Sequence, residues 1–342
     1  MKLGMQLSYA GGFKQSAAQA IALEKAGLDI VWVAEAYGFD GVSFMGYLAS
    51  VTERVTIGSG ILNIYSRTPS LLAMTAAGVD AMSDGRCILG LGASGPQVIE
   101  GFHGMAYDAP IGRTREIMEI CRLIWKRDAP LEYQGKYYTL PLPADQGTGL
   151  GKPLKIIGHP RPDIPIYIAS LGAKNVQLTA ELADGWLPIF YLPERAESVW
   201  GADLAKGAAK RPAELGPLEI VAGGAVCITD DPGPILDFAR AQYALYIGGM
   251  GARDRNFYNQ LAIRYGYEKE AKEIQDLYLD GKKKEAAALV PYEMLELTNL
   301  VGSEGFIKDR IAAFKEAGVT CLNVLPVGDA PELVEKIKAW SE

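Results

Sequence analysis

The side chains of this sequence that could do chemistry fall where apolar runs stop. Gln6 and Ser8 follow the first run, Glu35 and Tyr37 follow IVWVA, and Asn63, Tyr65 and Arg67 follow TIGSGIL. Ser94, Gln97, Glu100 and His103 come after CILGLG, then Ser170, Lys174 and Asn175 after IYIA, then Tyr191 and Asn323. The set is rich in hydrogen-bonding groups and aromatics. With only two histidines, His103 and His159, a histidine-rich metal site is excluded and a Ser-His-Asp triad is poorly supported. Such a set suits a tightly held organic cofactor that carries the chemistry itself, with no metal.

Individual residues keep two readings. Glu35 could donate a proton if apolar neighbours disfavour its ionisation, or it could be a strand-end acid paired with a base. His103 reads as a loop histidine or as a catalytic one. Arg113 reads as a surface partner of Glu116 or as a mouth residue. In YIASLGAKNVQ, Tyr167 to Gln177, a strand turns through small residues into a helix. The amides of Gly172, Ala173 and Lys174 could receive an anion there, or the segment could be an ordinary turn with a solvent lysine. In TIGSGILNIYSRTP, Thr56 to Pro69, Gly58 and Gly60 sit where a buried strand favours β-branched residues. Glycine weakens a strand unless the backbone bulges or is approached closely. GLGASG, Gly90 to Gly95, matches dinucleotide-loop spacing but follows a fourth strand and runs into Pro96, which makes it a weak signal.

A repeated theme implies the elements that position these groups. EKAGLDIVWV, AMSDGRCILGLG, AELADGWLPIF and KEAGVTCLNV each read as a helix end, a glycine stop and an apolar strand. Strands are predicted near Leu3 to Leu7, Ile30 to Ala34, Val55 to Leu62, Cys87 to Leu91, Ile164 to Ala169, Gly185 to Phe190, Leu218 to Ile228 and Cys321 to Leu325. Runs without alternation suit strands buried on both faces. Eight βα units close most economically into a (β/α)8 TIM barrel, with an open doubly wound sheet as the alternative. Asp128 to Pro162 and Arg253 to Leu300 read as insertions after strands four and seven, both able to hang over the mouth. Residues 1–342 are expected to form one domain.

The net charge of -7 argues against nucleic acid as a partner. No run reaches the 18 or so apolar residues of a membrane span, and the first residues do not form a signal peptide. Four cysteines without a CxxC suit a reduced, cytoplasmic protein acting on a small molecule.

GSGILNIYSRTP, followed by DAMSDGRCILGLGASGPQV from Asp80 to Val98, resembles the luciferase-like flavin and deazaflavin barrel family. VWVAEAYG, RTREIMEI, DGWLPIFYLP and ALYIGGMGARDRNFYNQL fit its branch that uses the deazaflavin coenzyme F420, with methylenetetrahydromethanopterin reductases as more distant relatives. The resemblance implies an oxidoreductase that passes a hydride between F420 and an organic substrate. It implies a non-prolyl cis peptide at Gly60-Ile61, in a third-strand bulge that backs the coenzyme ring. Coenzyme contacts are expected at Gly60, Ile61, Asn63, Ser94, Gly95 and Ala169. The coenzyme phosphate is expected in the loop Ser170, Leu171, Gly172, Ala173, Lys174 and Asn175. Relatives that place an acid and a histidine after strand two contrast with Glu35-Ala36 here. The reductases' acids correspond to Gln6 and Gly95, which disfavours their substrate. Glu35 remains as the candidate catalytic acid, with Glu100 and His103 in reserve. Two other readings compete: a monooxygenase using reduced FMN and oxygen, and a non-catalytic flavin- or deazaflavin-binding barrel. Frequent dimers among relatives make a homodimer an option.

Overall fold

A computed structural model describes residues 1–8 and 10–342. Its strands are β1 (Lys2–Gln6), β2 (Ile30–Val33), β3 (Thr56–Ser59), β4 (Leu62–Asn63), β5 (Cys87–Gly92), the hairpin β6 (Tyr133–Gln134) and β7 (Thr139–Leu140), then β8 (Ile166–Ile168), β9 (Gly185–Trp186), β10 (Glu219–Ile228), β11 (Leu300–Gly302) and β12 (Cys321–Pro326). Parallel pairing runs β1-β2-β3-β5-β8-β9-β10-β12 and returns to β1. The sheet is therefore closed, a TIM barrel, and the open-sheet alternative falls. β11 was not foreseen. It pairs with Val226–Ile228 of β10, beyond Glu219 and Ile220, where β9 pairs along the same strand.

Helices α1 (Phe13–Lys25), α2 (Gly41–Val51), α3 (Pro69–Met82), α4 (Pro96–Gly101), α5 (Pro110–Lys126) and α6 (Ala173–Leu182) return the chain between strands. Asp40 caps α2 by accepting from the Ser43 amide, and Thr68 caps α3 by accepting from Leu71. The repeated glycine stop holds at Gly27, Gly85 and Gly318, which take positive φ of 103°, 85° and 88°. It fails at Gly185, which lies in β9, where a Cβ would sit 2.4 Å from the Tyr167 ring. That glycine makes room inside the barrel and does not stop a helix.

The third strand is broken, not continuous from Val55 to Leu62. Ile57 pairs with Cys87 and Leu62 with Leu91, so five steps on one strand oppose four on the other, the mark of a bulge. Ser59 replaces the missing ladder bonds. Its hydroxyl donates to the Gly90 carbonyl and accepts from the Gly90 amide, each at 2.8 Å. The peptide bond Gly60-Ile61 is cis, as the resemblance implies.

Both glycines of this strand have neighbours that explain them. The barrel interior is filled by Ile30, Ile88, Tyr167, Val221 and Cys321, with Trp32 among them. A Cβ on Gly58 would lie 2.3 Å from the Trp32 indole, so Gly58 is bare because a tryptophan occupies its space. Gly60 lies nearer the mouth, its missing Cβ 3.1 Å from Trp32 Cβ and 3.2 Å from Gln6 Oε1.

The first insert differs from expectation. It leaves from the far end of α5, and its hairpin runs back along that helix to the second turn. Buried Glu116 accepts there from the amides of Lys136, Tyr137 and Tyr138 at 2.7, 3.0 and 2.9 Å. Glu116 is therefore not the partner of Arg113, which pairs with Asp108. The second insert is helical, as expected, and its helix Phe257–Arg264 packs beside the start of α6.

Candidate active site

At the C-terminal mouth, the bulge and strand ends form a small-residue floor. Ile61 packs on Gly92, whose missing Cβ would lie 3.0 Å from Ile61 and 3.6 Å from Ala169. Gln6 Nε2 donates to the Trp32 carbonyl at 3.1 Å, which fixes the amide beside Gly60. Asn63 Oδ1 accepts from the amides of Tyr65 and Ser66, an Asx turn that lifts the chain out of β4. The Asn63 side-chain oxygen is thus spent on its own loop.

The surroundings of Glu35 are ionic, not apolar. Arg67 donates to both its oxygens, at 2.5 and 2.8 Å, and the Gly41 amide donates at 2.9 Å. Arg67 also reaches Asp40 at 2.7 Å. Only 8% of the Glu35 side chain and 13% of Arg67 is exposed, so the pair is largely out of water. The Glu35 bonds hold the guanidinium more firmly protonated, against its desolvation. Burial pushes the Asp40 carboxyl up, but Ser43 and Arg67 outweigh it and hold it low. The hydrogen bonds that the Glu35 carboxyl accepts from Arg67 and the Gly41 amide join the β2 loop to the β4 loop.

On the β5 side, Ser94 takes a φ of 56° and Gly95 is the residue before α4. Tyr107 donates to the Ser94 carbonyl at 3.3 Å, and Tyr65 donates to the Asp108 carbonyl at 2.9 Å. The Tyr65 and Tyr107 rings are 5.3 Å apart. Burial pushes the phenols of Tyr65, Tyr107 and Tyr258 up, and Tyr107 is among the neighbours raising Tyr258. All three are neutral at pH 7. Glu100 is exposed and accepts from the Tyr107 amide at 3.2 Å. His103 Nε2 is buried without a hydrogen-bond partner among the described residues.

On the β8 side, the loop from Ser170 is held by its polar groups. The Ser170 hydroxyl meets Thr179 at 2.8 Å, and the carbonyls of Ser170 and Leu171 accept from Trp186 and Trp200. The Ser170 side chain is turned into the protein. The helix start is open, because Gly172 offers no side-chain cap to α6. A cleft of ≈ 350 Å³ opens there, lined by Leu171, Gly172 and Ala173 on one side and Phe257, Gln260, Leu261 and Arg264 on the other. Asn175 Oδ1, on the first turn of α6, is buried and has no hydrogen-bond partner among the described residues. Neither Lys174 nor Arg264 has a salt-bridge partner among the described residues. Gln260 and Arg264 escaped sequence reasoning because the charged insert reads as a solvated face. Only the packing of that insert on α6 marks them.

A larger cavity, ≈ 480 Å³, opens at the opposite end of the barrel, around Lys2, Arg54, Arg161, Asp184 and Glu219. Its charges largely neutralise one another, Lys2 with Glu219 and Arg122 with Asp184, while Arg161 pairs with Asp80. It lies at the strand starts, the face that serves stability in this fold. The chemistry belongs at the mouth.

The barrel, the third-strand bulge and the open helix start together define a luciferase-like enzyme. The model of the luciferase-like monooxygenase family matches residues 1–321, and the chain belongs to that family. It is 42% identical over 339 residues, 97% of each chain, to a putative coenzyme F420-dependent oxidoreductase of Mycobacterium tuberculosis (strain ATCC 25618 / H37Rv). It is 28% identical over 307 residues to the 5,10-methylenetetrahydromethanopterin reductase of Archaeoglobus fulgidus, covering 87% of this chain and 85% of the relative. The solved coenzyme F420-dependent tetrahydromethanopterin reductase of Methanopyrus kandleri superposes with a TM-score of 0.77 at 23% identity, over 98% of this chain and 96% of that one. That likeness shows the shared barrel.

Proposed function

We propose that this enzyme is an oxidoreductase that transfers a hydride between the deazaflavin coenzyme F420 and a small organic substrate. The observation that carries the reading is the uncapped cleft at the start of α6, lined by Arg264 and next in sequence to Lys174 of the helix's first turn, at the same barrel end as the Gly60-Ile61 bulge. It occurs in a chain 42% identical to a relative named for that coenzyme. The residues fit such a group. An uncapped helix start offers amide donors to an anion, and two cations add to the field.

In this reading Ala173, Lys174 and Arg264 hold the coenzyme phosphate, while Gly60, Ile61, Gly92 and Ala169 supply the small-residue surface under the ring. When bound, F420 supplies a two-electron hydride donor or acceptor. The chain's own part is placement. Gln6, fixed by the Trp32 carbonyl, presents a neutral amide beside the floor. Glu35 and Arg67 tie two mouth loops together and keep their charges satisfied there, so their role is to position those loops.

Spectral titration of the apo-protein with F420, FMN and FAD tests the reading. Saturable binding of F420 well ahead of FMN is expected. The reduced complex, mixed with oxygen in stopped flow, is expected to show no oxygen adduct. Tight FMN binding with an adduct would make the protein a monooxygenase instead.

A further inference from the structure

The mouth is divided in character. The β8 side carries the cations Lys174 and Arg264, whereas the β2 and β5 side carries exposed rings. Tyr37 follows β2 and is 67% exposed, and Phe102 ends α4 after β5 and is 63% exposed. Their ring centroids are 6.3 Å apart. The broken third strand separates β2 from β5 in the barrel, so this contact spans that strand, on the side of the Gly60-Ile61 bulge. Phe39, 58% exposed, continues the rim and meets Phe13 at 5.3 Å. Large side chains left in water at one lip mark a binding surface. The arginines of this side are already matched. Arg67 lies between Glu35 and Asp40, and Arg113 is held by Asp108. Lys14, beside Phe13, is exposed on α1. An anionic substrate could take neither Arg67 nor Arg113 without breaking one of those pairs, at the cost of an unpaired, partly buried ion, which leaves Lys14, out on α1, as the cation open to it. An uncharged ring system would cover the exposed rings at no such cost.

We infer that the rim of Tyr37, Phe39 and Phe102 is the substrate subsite, and that it takes an uncharged apolar or aromatic molecule. The inference deepens the F420 reading and rests on it for the side of the mouth left to substrate. The test uses two matched probes, benzylideneacetone and its ring 4-carboxylate, titrated by calorimetry into the full chain with and without oxidised F420. The neutral probe should bind about tenfold more tightly than the carboxylate. Tyr37→Ser/Phe102→Ser should weaken the neutral probe about tenfold while the F420 dissociation constant stays within about twofold. Tyr37→Phe should retain the neutral probe. Both side chains are exposed, and an unchanged unfolding midpoint verifies the fold of the double variant. Equal or tighter binding of the carboxylate, or a double variant that binds the neutral probe as wild type does, overturns the rim. A protein that does not bind F420 at all overturns the coenzyme reading instead, and the probe titrations without coenzyme still decide the rim.

Discussion

Glu35 accepts two bonds from Arg67 and one from the Gly41 amide, and that geometry sets what its replacement should do. Glu35→Gln leaves Arg67 with Asp40 as its remaining carboxylate. A loss of about 1–3 kcal/mol is expected in urea unfolding, the scale of a charged hydrogen bond removed from a mostly buried donor. Arg67→Ala should cost a similar amount, and the double variant should fall well short of the sum. Strictly additive losses would mean the pair is idle. The cations at the α6 cleft make a second residue-scale prediction. Lys174→Ala and Arg264→Ala should each raise the F420 dissociation constant and flatten its dependence on salt, because each removes a charge facing an anion. Unchanged affinity from low to high salt in both variants would move the phosphate elsewhere.

At the element scale, the turn that launches β3 hangs on α1. Buried Glu24 accepts from the amides of Glu53 and Val55 at 3.1 and 2.7 Å, and also from the Arg54 amide. Burial pushes this carboxyl up, yet the bonds from Val55, Arg54 and Glu53 prevail and hold it below its ordinary value. A depressed folded-state value means the stabilisation is present above the unfolded carboxyl's range, about pH 4.3, and is lost as pH falls through the lower folded value. Glu24→Gln should therefore destabilise by roughly 1–3 kcal/mol at pH 7 and by much less near pH 3. Denaturant midpoints at the two pH values measure this. A penalty that does not shrink in acid would show that shape, not charge, holds the turn. The hairpin β6–β7 is pinned in the same way by Glu116, although α5 and the hairpin meet across a turn that periodicity does not reveal.

For the whole molecule, a ligand that binds only the closed barrel must stabilise it. F420 at about a hundred times its dissociation constant should add about 2.7 kcal/mol to unfolding. The same concentration of FMN should add far less. The urea midpoint reads both, and equal shifts would remove the preference for the deazaflavin.

Most barrel strands and many of the residues at the mouth were legible in the sequence, although β11 and the break in the third strand were not. Glycine stops and apolar runs are local signals, so barrel class, strand positions and the residues at strand ends such as Glu35, Asn63 and Ser94 were legible. The motif around Gly60 carried the family. What a side chain touches was not legible, because partners lie far apart along the chain. The partner of Arg67, 32 residues from Glu35, depends on two adjacent loops closing on one another. The bareness of Gly58 belongs to Trp32, which only the neighbouring strand's register brings over it. Arg264 joined the cleft at the start of α6 only when the second insert packed on that helix, a contact between surfaces that no local pattern encodes.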